Sequence, residues 1–172
     1  MGLFDILKLK KNKKEKGRKG EKVFGFYELD DTLYTLFREN ENKNEGLIEV
    51  MDIANRLYAT AERDELGEEE KNYASGIVNY IDYLISGDEE KLTQAIEKLS
   101  ELVEKKEDIP HAHYFLGKAY YHKSFTSSDP LKYKSLSDFH LTKAEKVEKE
   151  KKESRLDGAE WEFLEIKINF FV

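Results

Sequence analysis

Residues Pro110–Ser124 read PHAHYFLGKAYYHKS, and the run before them, Ala95–Pro110, reads AIEKLSELVEKKEDIP. Pro110 suits the first turn of a helix, where its missing N–H is not needed, and the segment predicts a helix to about Phe125. Upstream, Leu92, Ala95, Ile96, Leu99, Leu102 and Val103 share one helical face behind Asp88-Glu89-Glu90, acids that favour an N-terminal turn. Small residues such as Gly117 and Ala95 let two helices approach closely, while Leu116, Tyr120 and Leu99 fill the groove between successive pairs. The short connection makes the two helices antiparallel neighbours.

The same periodicity recurs outward. Leu29, Leu33, Leu36 and Phe37 lie at helical spacing from Glu28 until the Asn-rich RENENKNEG breaks the pattern. Leu47, Val50, Met51, Ala54, Leu57, Tyr58 and Ala61 form a second stripe with Gly67 as its stop. Tyr73, Ala74, Ile77, Val78, Ile81, Leu84 and Ile85 mark another, closed by Ser86-Gly87. Asp129-Pro130 supplies a cap and a first-turn proline for the helix after Pro110–Phe125. That helix ends in EKVEKEKKESR, whose Glu and Lys pair at i,i+4 with little to bury, so it is expected to project into solvent. Trp161–Val172 carries both a helical spacing (Trp161, Leu164, Ile168, Phe171) and a strand alternation (Leu164, Ile166, Ile168, Phe170). A further helix is preferred; a strand would pair with Val23–Tyr27 and make the fold α+β.

Charge divides the 172 residues unevenly. Met1–Lys22 holds nine basic and three acidic residues, a net of +6, which leaves −13 for residues 23–172 within an overall −7. Like charges and two glycines cannot pack a core, so residues 1–22 read as a basic solvated tether with an apolar tip, Leu3, Phe4 and Leu7, ahead of a helical domain over 23–172. The apolar residues precede the basic ones, the reverse of a signal peptide, and Ile6 stands where myristoylation wants Ser or Thr. The absence of Cys excludes disulfide scaffolds, thiol catalysis and Cys-ligated metal, and suits a reducing cytoplasm. No apolar run approaches the roughly 18 residues of a membrane span. With 38% charged residues the chain is well solvated, yet ten Tyr and ten Phe exceed what disorder predicts.

The Pro110–Ser124 segment resembles the first helix of a tetratricopeptide repeat. The pattern W-x2-L-G-x2-Y is met at His113, Leu116, Gly117 and Tyr120, with Ala119 also matching and only the Trp replaced. Ala95–Pro110 is similar to the family's second helix and exit turn, and the 22 residues from Ala95 to Gly117 are the spacing of a 34-residue repeat. The resemblance is good over Asp88–Ser124, loose over Leu47–Phe171 and absent from the first 40 residues. After Tyr120 the turn is enlarged, and the next second helix, with Ser137, Leu141 and Ala144, comes about eight residues late. The resemblance implies an all-α fold, a short right-handed solenoid of antiparallel helix pairs, whose first helices line a groove for an extended peptide or a partner's helix. Carried onto this chain, the groove positions are His111, Tyr114, Lys118, Tyr121 and His122. Members that clamp a C-terminal carboxylate hold Lys and Asn where this chain has Tyr114 and Lys118, which argues against that ligand.

Catalytic constellations are poorly supported. His111 and His113 are two apart and point about 200° away from each other on a helix; His111 and His122 share a face but sit roughly 16 Å apart, too far for one metal. Tyr114 and Lys118 make a YxxxK without the strand and glycine-rich turn that would give it meaning. Gly117-Lys118 is no phosphate loop, and the acidic run Glu62–Glu70 lacks the alternating ligands of a calcium loop. The expectation is therefore a non-catalytic protein-interaction adaptor with no catalytic, cofactor or metal residues, cytoplasmic, its oligomeric state open. The alternative is a membrane-peripheral protein whose tip and lysines meet anionic lipid. Nucleic acid is disfavoured because neither Arg-rich nor aromatic-interleaved sequence accompanies the lysines.

Overall fold

Six α-helices make up most of residues 25–41 and 43–156, the part of the chain that the computed structural model describes. They are α1 Phe26–Asn40, α2 Asn44–Arg63, α3 Glu68–Ser86, α4 Glu89–Lys105, α5 Pro110–Thr126 and α6 Pro130–Leu156. Among the described residues there is no strand. The tether and its tip Leu3, Phe4 and Leu7, and the helix-or-strand segment Trp161–Val172, lie outside the described residues.

Local chemistry explains the boundaries. Glu28 reaches back to accept a hydrogen bond from the Gly25 N–H (3.3 Å), which starts α1 three residues before that carboxylate. Phe26 and Tyr27, offered above as half of a pairing strand, are therefore the first turn of a helix, and Phe26 joins Leu29, Leu33, Leu36 and Phe37 in the core. The α2 stripe ends before Gly67. Glu65 takes a left-handed φ of 51°, the Leu66 N–H reaches the Ala61 carbonyl (3.0 Å), and the Glu65 N–H reaches that of Glu62 (3.2 Å). This bond pattern closes the helix with an acidic residue where glycine is usual, and frees Gly67 to cap α3 instead. Glu68–Glu70 then begin α3 ahead of its apolar stripe, with their carboxylates at the positive end of the dipole. Asp88 caps α4 by accepting from the Glu90 N–H (2.9 Å), and Asp129 accepts from the Lys132 N–H (3.2 Å) at the start of α6.

Each helix packs on its neighbours in the chain, and α3 also meets α5. Gly46, at the start of α2, has no room for a Cβ beside Asn40 of α1, and at two mid-helix places the approach is also too close for a side chain. A Cβ on Gly76 of α3 would lie 2.9 Å from Leu99 Cγ of α4, and one on Gly117 of α5 would lie 2.8 Å from Leu141 Cγ of α6 and 3.1 Å from the Leu141 backbone nitrogen. The α3/α4 and α5/α6 pairs thus share one device: a mid-helix glycine of the first helix receives a leucine of the second.

Helices α1, α3 and α5 converge on a knot of rings. Phe37, Tyr80 and Phe115 come one from each, with centroids 5.1 to 6.4 Å apart. Asp30 meets His111, Tyr34 meets Tyr114 and Phe115, and Glu41 meets Lys118, so α1 runs parallel to α5. The charge-dense end of α6 stays docked over part of its length. Val147 is buried, and buried Lys151 lays its stem along the body while its ammonium donates to the Asp108 carbonyl (2.6 Å).

Candidate functional site

Helix α5 distributes its polar and aromatic residues over three packed faces and one open to solvent. His111, Tyr114 and Lys118 point toward α1, His122 toward α3, and His113 and Tyr120 toward α6, while Tyr121 and Phe125 turn outward. Of the five groove positions read from the sequence, three therefore meet the chain's own first helix.

The α1 contacts form a continuous polar seam above the ring cluster. Asp30, 4% exposed, accepts from the Tyr73 hydroxyl through Oδ1 (2.5 Å) and from His111 Nδ1–H through Oδ2 (2.8 Å). Tyr34 stacks flat on the His111 ring at 3.9 Å. Glu41 accepts from both the Tyr114 hydroxyl and the Lys118 ammonium, each at 2.9 Å. The Arg38 guanidinium lies 5.5 Å and 5.8 Å from the centroids of Tyr34 and Tyr114. Burial, and next the Asp30 carboxylate, hold the Tyr73 phenol well above its ordinary range; burial and then the bond to Glu41 do the same for Tyr114. Both phenols are donors at any physiological pH.

A buried Asp bonded to a His imidazole is the orienting half of an acid–base pair, but here it is engaged in holding α1 on α5. Asp31 brings a third ligand atom within 4.8 Å of those of Asp30 and His111. Asp30 Oδ2 and His111 Nδ1 already bond each other, and a cation would have to replace that bond, so we assign no metal to the cluster.

On the opposite face, His113 Nδ1 lies 2.9 Å from His140 Nδ1 of α6, and His113 Nε2 lies 3.0 Å from the Glu107 carbonyl. A carbonyl only accepts, so Nε2 carries the proton of neutral His113, its Nδ1 accepts, and His140 donates. Burial lowers both imidazoles below their ordinary range, His140 to about 4, with His113 as its second cause.

Beyond Glu41, where α1 has ended, the α3/α5 surface carries an aromatic patch. His122, half-buried, lies against Tyr80 and Tyr83 of α3, with ring centroids at 5.9 Å and 5.6 Å, and burial followed by the nearby Lys118 charge lowers its pKa. Tyr121 and Phe125 meet edge to face at 4.9 Å yet remain 45% and 68% exposed. Glu89 frames the patch, accepting from Lys123 (3.2 Å) and Thr126 (3.0 Å).

Sequence reasoning found the α5 residues and missed their partners. Asp30, Tyr34, Arg38 and Glu41 recur at three- and four-residue intervals beside the apolar stripe of α1, a second stripe whose partner helix no periodicity names. His140 gives no sign in the chain that it meets a residue 27 positions earlier. Comparison with protein families, with curated proteins and with solved structures finds no match to this chain.

Proposed function

We propose that the chain is a non-catalytic interaction module that receives a partner protein's segment on the aromatic patch of Tyr83, Tyr121, His122 and Phe125. The observation that carries this reading is the exposure of Tyr121 and Phe125 side by side, large rings left in water next to Tyr83 and His122. Aromatic side chains of this kind supply contact area at small entropic cost, and the Glu89–Lys123 pair offers polar contacts at the rim.

The fold supports the same reading. Paired helices with a leucine received by a glycine, twice over at Gly76 and Gly117, fit a short right-handed solenoid of tetratricopeptide-like pairs, although their 41-residue separation is seven longer than the 34-residue repeat. In this arrangement α1, α3 and α5 are the first helices, and α1 fills the half of the groove formed by His111, Tyr114 and Lys118. Displacing α1 would expose Leu29, Leu33, Leu36 and Phe37, at about 1.5–3 kcal/mol each, so that half stays closed. The ligand surface is the open half.

The test compares the wild type with a Tyr121→Ser/Phe125→Ser variant in affinity capture from native lysate. Loss of the captured partner, with helical signal and melting temperature unchanged, is the expected outcome. Capture that survives the double change would sink the assignment. A Tyr114→Phe/Lys118→Ala variant is expected to lower the melting temperature while leaving capture intact, because both side chains serve Glu41.

A further inference from the structure

Helix α6 rests chiefly on α5, and the face it presents there is thinly apolar. Its buried residues with described side chains are Ser137, His140, Ala144, Val147 and Lys151, with Leu141 half-buried against Gly117; Leu131 and Phe139 face solvent. Three of the five buried positions are polar. Docking therefore draws on polar contacts: Lys151 on the Asp108 carbonyl, Lys143 on Glu107 (3.2 Å), and, at the centre, His140 on His113.

Proton uptake disturbs the central contact. With Nε2–H of His113 committed to the Glu107 carbonyl, a first proton at its Nδ1 keeps the bond only if His140 moves its own proton to Nε2, leaving a buried cation across the pair; a second proton sets two N–H groups against each other across 2.9 Å. A proton added to His140 puts a cation into a site where its neighbours are the Tyr120 ring, stacked at 5.6 Å, the Phe139 ring and His113. The charged groups facing the pair are Lys143 from α6, which repels a second cation, and Glu107 from the turn before α5, whose carboxylate is already paired with Lys143.

We infer that the His113–His140 contact is an acid-released latch: a proton taken up by the pair undocks α6 from α5 and bares Gly117, Tyr120 and the His113 ring. The sign follows from linkage. The docked imidazoles stay neutral below the ordinary histidine value of 6.5, so from there down to about 4 the undocked form binds more protons and docking weakens as pH falls. Above 6.5 docking is insensitive to pH. The undocking constant rises by up to about 10-fold per pH unit for each proton taken up.

Hydrogen–deuterium exchange on the full chain between pH 7.5 and pH 5, corrected for intrinsic exchange rates, tests the latch. The expected result is faster exchange in α6 peptides at the acid end, by 10-fold or more, while α2–α4 peptides keep their protection. A His113→Gln/His140→Asn variant, which keeps a donor and an acceptor but cannot ionise, should lose the acid response. Unchanged protection of α6 in the wild type, or an equal acid response in the variant, would overturn the inference. If the variant already exchanges freely at pH 7.5, an NMR titration of the wild-type imidazoles decides. Both His113 and His140 must titrate below the ordinary histidine value of 6.5, and a midpoint at that value for either removes the latch.

Discussion

Asp30 is the residue on which the α1–α5 seam turns. One buried carboxylate accepts from Tyr73 of α3 and His111 of α5, so Asp30→Ala leaves two donors without an acceptor and should cost about 2–4 kcal/mol in urea unfolding, with Asp30→Asn intermediate. Glu65 is the opposite case. Its left-handed φ of 51° strains any residue with a Cβ, so Glu65→Gly should raise stability by about 0.5–1 kcal/mol, read as a higher melting temperature. Neither residue announced itself in the sequence. Asp30 stands between Leu29 and Asp31 with nothing nearby to name its partners, and Glu65 lies inside an acidic run where Gly67 is the visible stop signal. Partners reached only through tertiary packing, and backbone conformations adopted by a residue that does not favour them, leave no local pattern to read.

Among the elements, the two glycine–leucine contacts make a direct comparison. Alanine gains about 1 kcal/mol of helix propensity over glycine, but at Gly117 the new methyl would press on the Leu141 backbone as well as its side chain, and α6 would have to move. Gly117→Ala should therefore destabilise by about 1–2 kcal/mol and more than Gly76→Ala, where the contacts are with the side chains of Leu99 and Lys98; thermal unfolding of the two variants measures the difference. The helices themselves were largely legible: stripes of Leu, Ile, Val and Ala at helical spacing, punctuated by Ser86-Gly87, Asp88, Pro110 and Pro130, mark where they lie. The end of α6 was less so. EKVEKEKKESR reads as fully solvated, and only packing reveals that Val147 and the Lys151 stem have a surface to cover.

For the whole molecule, the charge division lets the contribution of residues 1–22 be tested apart from that of the helices. The membrane-peripheral alternative expects the full chain to sediment with anionic vesicles at low salt, to release as salt rises, and to lose binding when Met1–Lys22 is removed; no sedimentation at low salt would rule it out. The all-α class was readable from periodicity, whereas the arrangement of the candidate site was not, because whether His111, Tyr114 and Lys118 face a ligand or the chain itself depends on where α1 folds back. That return has a consequence for synthesis. The Asp30–His111 bond spans 81 residues, so α1, although made early, cannot complete its burial until α5 has left the ribosome. Nascent chains that stop before Pro110 should expose Tyr34 and Phe37 and attract chaperones, and the molecule should mature in a single late step rather than hairpin by hairpin.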